Sequence, residues 1–355
     1  MGTKSDNTGI ALGLPPRPLI LEGRIRVGSL MGIPQTLQEL GVDPAEVMAS
    51  VGLDLSLFND PENTMPVSTL GRLVSQCVAR TNCPHFGLLV GQQLGLASLG
   101  LVGFLMQHSP QVGAALRSLS LYLHLHDRGA VVTLSVAHHR AATLSYAIYQ
   151  RDVEGADQIY DGAIAHAFNL LRALCGSTWL PTEVLFSHRQ PSDVGPYRRF
   201  FQAPLRFDSE QTALVFPARW LEQPLAGADP HLHRFLEQQI AAHDRREYGN
   251  LVDQLRRVLR TLLVTHQSSL EQVAQLFSLH RRTLNRRLQA QGTTYQALVD
   301  EVRCEIARQL LENTGLSMSQ IAATLDYADP SAFSRAFRRW MGVPPRTFRR
   351  QRTQG

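Results

Sequence analysis

The chain has 355 residues, 44% apolar and 18% charged, a balance that suits a globular protein with room for two cores. No run of eighteen apolar residues occurs, which excludes a membrane-spanning helix. Net charge is +5 but unevenly placed: residues 246–355 hold 17 Arg against 9 Asp or Glu, a balance of +8, leaving −3 upstream. A basic tail on a mildly acidic body is the footprint of phosphate-backbone binding. Lys4 is the single lysine, so the positive charge is almost all guanidinium, which forks onto phosphates and bases. Cys77, Cys83, Cys175 and Cys304 form no CxxC pair and read as buried thiols.

Residues 1–28 lack a basic start and carry Pro15, Pro16 and Pro18, so they read as a flexible leader of a cytoplasmic chain. Short helices are expected near 34–41 and 44–51, and a longer one over 67–81. The segments FGLLVGQQL and SLGLVGFLMQHS are apolar and glycine-rich, which suits closely packed helices. QVGAALRSLSLYLHLH follows at helical spacing. The period then shifts to two over 131–136 and 142–149 around a polar HHR turn, which predicts a β-hairpin. A helix over 155–174 opens near Asp157 and stops at Gly176, in keeping with dipole and C-cap chemistry. Strands at 183–186, 205–207 and 213–216 complete an α+β domain spanning 29–245, with a connecting helix near 230–246.

Residues 246–355 read as an all-α domain built on a repeat. SLEQVAQLFSLHRRTLNRRLQAQG, from Ser269 to Gly292, is echoed by LSMSQIAATLDYADPSAFSRAFRRWMG, from Leu316 to Gly342. Val273 aligns with Ile321, Leu284 with Phe333, Arg286 with Arg335, Leu288 with Phe337 and Gly292 with Gly342. Each copy reads as a helix-turn-helix, whose second helix enters the major groove of DNA. In the first copy Leu284 and Leu288 face inward, while Arg282, Asn285 and Arg286 share the opposite face, with Arg281 beside them. Arg matches guanine O6 and N7, and Asn matches adenine N6 and N7. In the second copy Phe333 and Phe337 face inward and Ser331, Ala332 and Arg335 face the groove. Arg338 and Arg339 suit phosphates, and Asp329 reads as an N-cap ahead of Pro330. EVRCEIARQLLENTG between the copies reads as a linker helix about 22 Å long, with Ile306, Leu310 and Leu311 buried.

IAATLDYADPSAFSRAFRRWMGVPPRTFR resembles the second helix-turn-helix signature of AraC/XylS-type transcription regulators, and the first copy with its linker resembles the rest of that module. The resemblance implies that base reading falls on Arg282, Asn285, Arg286, Ser331, Ala332 and Arg335. Two positions depart from the family pattern: His280 stands where a capping Ser is usual, and Ser278 replaces a turn glycine. Upstream, CPHFGLLVGQQLGLASLGLVGFLMQHSPQVGAALRSL and YRRFFQAPLRFDSEQTALVFPARWLEQPL resemble the arabinose-binding-like effector domain of the subgroup that includes ornithine-utilisation and mycobacterial virulence regulators. That likeness implies promoter DNA and a small-molecule effector as partners, with a homodimer and RNA polymerase contact also open to it.

An effector pocket between the hairpin and neighbouring helices would draw on Tyr122, His124, Tyr146, Tyr149 and Gln158, which pair polar tips with apolar surroundings. Each of these residues is equally explained by packing. His124, His126 and Asp127 are candidate metal ligands, but no further ligand has recognisable spacing, so a capping or pocket-lining role is favoured and no metal or cofactor is expected. No nucleophile elbow, phosphate loop or HExxH motif occurs, and no enzymatic activity is expected. An architectural protein that bends DNA without an effector remains the alternative; excess bulk competitor DNA would separate the two.

Overall fold

The structure is a computed structural model, and it describes residues 23–137, 140–148, 153–248, 251–264, 268–277, 279–313 and 317–353. The chain opens with β1 (Arg24–Arg26) and a 3-10 turn (Val27–Leu30), followed by α1 (Gly32–Glu39), α2 (Pro44–Ser50), β2 (Thr64–Pro66), α3 (Val67–Thr81) and α4 (Phe86–Gln92). β1 and β2 pair antiparallel, with Ile25 opposite Met65. Residues 24–28, expected in the leader, are therefore built into the domain: Val27 is wholly buried, with Ile25, Ile33, Leu37, Leu70 and Phe86 in one helical core. A strand this short has no period to read, and only its partner 40 residues away defines it.

A second core lies under a five-stranded sheet. After α5 (Leu101–Gln107) and α6 (Val112–Tyr122) come β3 (Ala130–Ala137), β4 (Ala141–Ile148), α7 (Ala156–Cys175), β5 (Glu183–Leu185), α8 (Gly195–Phe201), β6 (Leu205–Arg206) and β7 (Thr212–Pro217). The strand order is β3-β4-β7-β5-β6, antiparallel except for the parallel β5–β6 pair. The expected hairpin is present, with Thr133 opposite Ser145; His138 and His139 of its turn lie outside the described residues. α8 escaped the sequence reading, and it contributes the buried Tyr197 and Phe201 to the sheet core.

α7 joins the two cores, with Ile159 in the first and Ile164, Phe168 and Leu171 in the second. The glycines of α4 make this possible. A Cβ on Gly87 would lie 2.0 Å from the Gln158 carbonyl oxygen, and one on Gly91 2.3 Å from that of Gly162. The helix backbones touch, as the glycine-rich segment led one to expect. Asp161, facing inward from α7, accepts from Tyr197 Oη at 2.5 Å and pairs with His188 Nε2 at 2.9 Å.

α9 (Pro230–Tyr248) leaves the sheet domain and packs Leu236 and Ile240 onto Leu105 of α5, with Tyr122 and Leu125 alongside. The C-terminal part is all helical: α10 (Leu251–Val264), α11 (Leu270–Leu276), α12 (Arg281–Ala290), α13 (Tyr295–Asn313), α14 (Met318–Thr324), α15 (Pro330–Met341) and α16 (Pro345–Thr353). α13 starts six residues earlier than the expected linker and reaches roughly 28 Å at 1.5 Å per residue. Its first half buries Leu298, Val299 and Val302 with α10, α11 and α12, and its second half buries Ala307 and Leu311 with α14 and α15. Ile306 is partly buried against both cores, as is Leu310 against the second.

Candidate nucleic-acid interface and interior cavity

The two C-terminal units are built alike. Ser269 and Gln272 exchange hydrogen bonds at the start of α11, and Ser317 and Gln320 repeat this capping box at the start of α14, 48 residues on. Asp329 Oδ1 accepts from Ala332 N at 2.7 Å, so the expected cap of α15 is in place with Pro330 at its first position. His280 does the work of the family's serine: its Nδ1 accepts from Arg282 N at 3.3 Å at the head of α12. Gly292 (φ 73°) and Gly342 (φ 76°) adopt the left-handed conformation just past α12 and α15, where a side chain would be strained. Ser278 lies outside the described residues.

Leu284 and Leu288 of α12, and Phe333 and Phe337 of α15, are fully buried. That pins the opposite faces outward. Arg281, Arg282, Arg286, Ser331, Arg335, Arg338 and Arg339 are exposed, and Asn285 and Ala332 are half-buried beside them. The arginines divide by partner. Arg256, Arg260 and Arg303 are tied to Glu301, Glu305 and Asp326, and Arg303 also lies 5.0 Å from the Tyr327 ring centroid. Arg281 faces Glu271 at 3.7 Å, and Arg339 faces Asp300 of α13 at 3.1 Å. The guanidinium groups of Arg282, Arg286, Arg335 and Arg338 have no partner among the described residues. Unpaired cations on the outer faces of two capped helices form a surface suited to an extended anion.

The N-terminal domain holds a cavity of about 110 Å³ between its two cores. Most of the wall is aliphatic, including Leu30, Ile33, Leu119, Leu144 and Leu170. Tyr146 and Gln158 line it as expected. Tyr146 Oη donates to Asp127 Oδ2 at 2.8 Å, and the Gln158 amide is spent on tying α7 to α4 through Gly87 N and Pro84 O. Tyr122 and His124 do not line the cavity, which corrects the sequence reading. α6 ends at Tyr122 and a 3-10 turn (Leu123–Leu125) follows, so Tyr122 turns to the α9 contact while His124 Nδ1 meets Leu121 O at 3.1 Å. Tyr149 lies outside the described residues.

Four buried polar residues complete the wall: His126 and Asp127, for which the sequence favours a capping or pocket-lining role, and His166 and Ser29, which the sequence reading does not single out. Arg26 can only donate, so its contact at 3.3 Å makes His126 Nδ1 the lone-pair nitrogen, and Nε2–H donates to Ser29 Oγ. Arg26 is in turn bound by Glu62. His166 Nε2–H donates to Gly95 O at 3.0 Å, close to Ser98 Oγ. Burial pushes His126 down to about 3 and His166 down to about 4, so both rings are neutral near pH 7, and it lifts the Asp127 carboxyl to about 6. His166 stood out in sequence only as a lone histidine in the apolar run AIAHAF. Among the described residues no group of three or more His, Cys, Asp or Glu is placed to hold a metal ion.

Residues 41–225 match the family model for the arabinose-binding domain of AraC transcription regulators, and residues 273–351 match a helix-turn-helix domain. The chain belongs to the AraC family of transcription regulators. The HTH-type transcriptional regulator VirS of Mycobacterium tuberculosis is 28% identical over 330 residues, covering 92% of this chain and 96% of the relative. The ornithine utilization regulator of Pseudomonas aeruginosa is 28% identical over 323 residues, covering 88% and 92%. The crystal structure of the regulator CdpR from Pseudomonas aeruginosa aligns over 91% of this chain and 98% of its own at 21% identity, with a TM-score of 0.48. As an AraC-family protein the chain is a DNA-binding transcription regulator with an arabinose-binding-like N-terminal domain. No helix among the described residues is long and apolar enough to cross a membrane.

Proposed function

We propose that this AraC-family regulator reads promoter DNA with α12 and α15 in successive major grooves, under control of a small molecule held in the N-terminal cavity. Arg282, Asn285 and Arg286 would read one half of the site and Ser331, Ala332 and Arg335 the other, with Arg281, Arg338 and Arg339 on phosphates. The observation that carries this is the set of unpartnered guanidinium groups on the outer faces of two helices whose inner faces are locked by Leu284, Leu288, Phe333 and Phe337. The effector part would run from the β1–β2 pair to α9 and the DNA-binding part from α10 onward, close to the expected division at 245. Homodimer formation, contact with RNA polymerase and a cytoplasmic setting belong to the same proposal and rest on the family resemblance.

Control would pass through α6. Leu119 on this helix lines the cavity, and α6 also lies against α11, the bracing helix of the first DNA-binding unit. A ligand that moves α6 therefore acts directly on the seat of α12. Footprinting on a selected operator tests the DNA half: two protected major-groove segments on one face are expected, and protection of a single groove refutes the paired reading. Retention of a preferred site under excess bulk DNA separates this function from an architectural role.

A further inference from the structure

The family model is described by a sugar, yet the cavity wall has the chemistry of a different ligand. A monosaccharide brings several hydroxyls, each needing a partner once out of water. The polar groups here are largely engaged with one another. His126 uses both ring nitrogens on Arg26 and Ser29, Asp127 accepts from Gly129 N and Tyr146 Oη, and Ser145 Oγ lies 2.5 Å from Thr133 Oγ1. His166 stands apart. Its Nε2–H is committed to Gly95 O, which leaves Nδ1 as a lone-pair acceptor without a partner among the described residues, on a side chain that lines the cavity.

We propose that the cavity binds a compact, uncharged, mainly apolar molecule with one hydrogen-bond donor, of the size and chemistry of phenol, and that the donor lands on His166 Nδ1. This rests on the reading that the cavity is the effector site. Size sets an upper limit: the cavity measures about 110 Å³, less than the apolar cavity of about 150 Å³ that accommodates benzene, so a ligand no larger than a single small ring fits. Charge agrees as well. Both wall histidines are neutral near pH 7 and Arg26 is already bound by Glu62, so a carboxylate finds no free cation there.

Calorimetric titration of the full chain with phenol, toluene and arabinose tests this, with operator affinity measured in parallel. Phenol should bind, toluene about fivefold more weakly for want of one hydrogen bond, and arabinose not at all at the same concentration. His166→Phe should erase the preference for phenol over toluene. Ala163→Leu keeps His166 and its Gly95 contact while filling the space, so it should abolish binding of both even if His166→Phe fails to fold. Arabinose binding without phenol binding, equal phenol and toluene affinity in the parent, undiminished binding in Ala163→Leu, or binding of none of the three overturns the proposal. Phenol binding in the expected pattern with unchanged operator affinity supports the ligand class and refutes effector control instead.

Discussion

Lowering the pH from 7.5 to 5.0 should destabilise the N-terminal domain, and the buried histidines set the amount. His126 and His166 titrate near 3 and 4 in the folded chain because burial opposes their charged forms, against an ordinary value of 6.5. The unfolded chain therefore binds more protons between those values. Stability is full above 6.5 and falls as pH drops toward the folded values. At pH 5.0 each histidine accounts for a loss of about 2 kcal/mol, from 1.5 units at about 1.4 kcal/mol per unit. Asp127 works in the other direction. Its folded value is raised by burial from 3.8 to about 6, so its protonation returns about 1.4 kcal/mol by pH 5.0. His85, lowered by burial, adds to the loss; in His188 burial is outweighed by Asp161, the value is raised, and its contribution opposes the loss. The three cavity residues together leave a net loss of about 3 kcal/mol. Urea unfolding followed by tryptophan fluorescence in a Trp220→Phe, Trp340→Phe background, which leaves Trp179 of the sheet core as the reporter, reads this directly. The His166→Gln variant should lose about 2 kcal/mol less than the parent over the same interval. Identical pH slopes for parent and variant would refute a neutral, buried His166.

Other expectations concern the DNA-binding part. Phe333→Ala removes a fully buried ring from the second core and should cost roughly 3–5 kcal/mol, seen as faster amide exchange in α14 and α15 while α12 stays protected. Uniform loss of protection across all the helices would mean that the two units do not fold as distinct cores. Asp329→Ala should destabilise by about 1 kcal/mol through its lost cap, and His280→Ala by less, because the His280 bond is longer at 3.3 Å against 2.7 Å; chemical denaturation ranks the two. Arg335→Ala should cost about 1–3 kcal/mol on the preferred operator and relax base choice, whereas Arg339→Ala should flatten the salt dependence and leave base choice intact. Competition binding across a salt series decides this, and unchanged operator preference in Arg335→Ala removes that residue from base reading.

What was legible in the chain was local. Leu284 with Leu288, Phe333 with Phe337, and the Asp329-Pro330 cap lie within single helices, where a period of 3.6 and one turn of chemistry suffice. The Ser269–Gln272 and Ser317–Gln320 boxes are equally local, and recur in the sequence at an offset of 48. Several wall residues, Tyr146 and Gln158 among them, are legible in the sequence, but the hydrogen bonds that organise the wall are not, because they are distant. Ser29 meets His126 across 97 positions, and His166 meets Gly95 across 71. His124 and His126 are equally eligible in the sequence; the 3-10 turn at Leu123–Leu125 redirects the chain so that His126 is the buried one. β1 and α8 depend on packing partners more than on their own pattern, and short segments of that kind carry too few turns or alternations to declare themselves.

α13 sets the phase of the whole reading device. Because Val302 belongs to one core and Ala307 to the next, one added residue between them would swing one reading head about 100° around the rod and advance it about 1.5 Å. If α12 and α15 read successive grooves as proposed, the spacing of bases that the protein accepts in its operator is thus written in the residue count of α13.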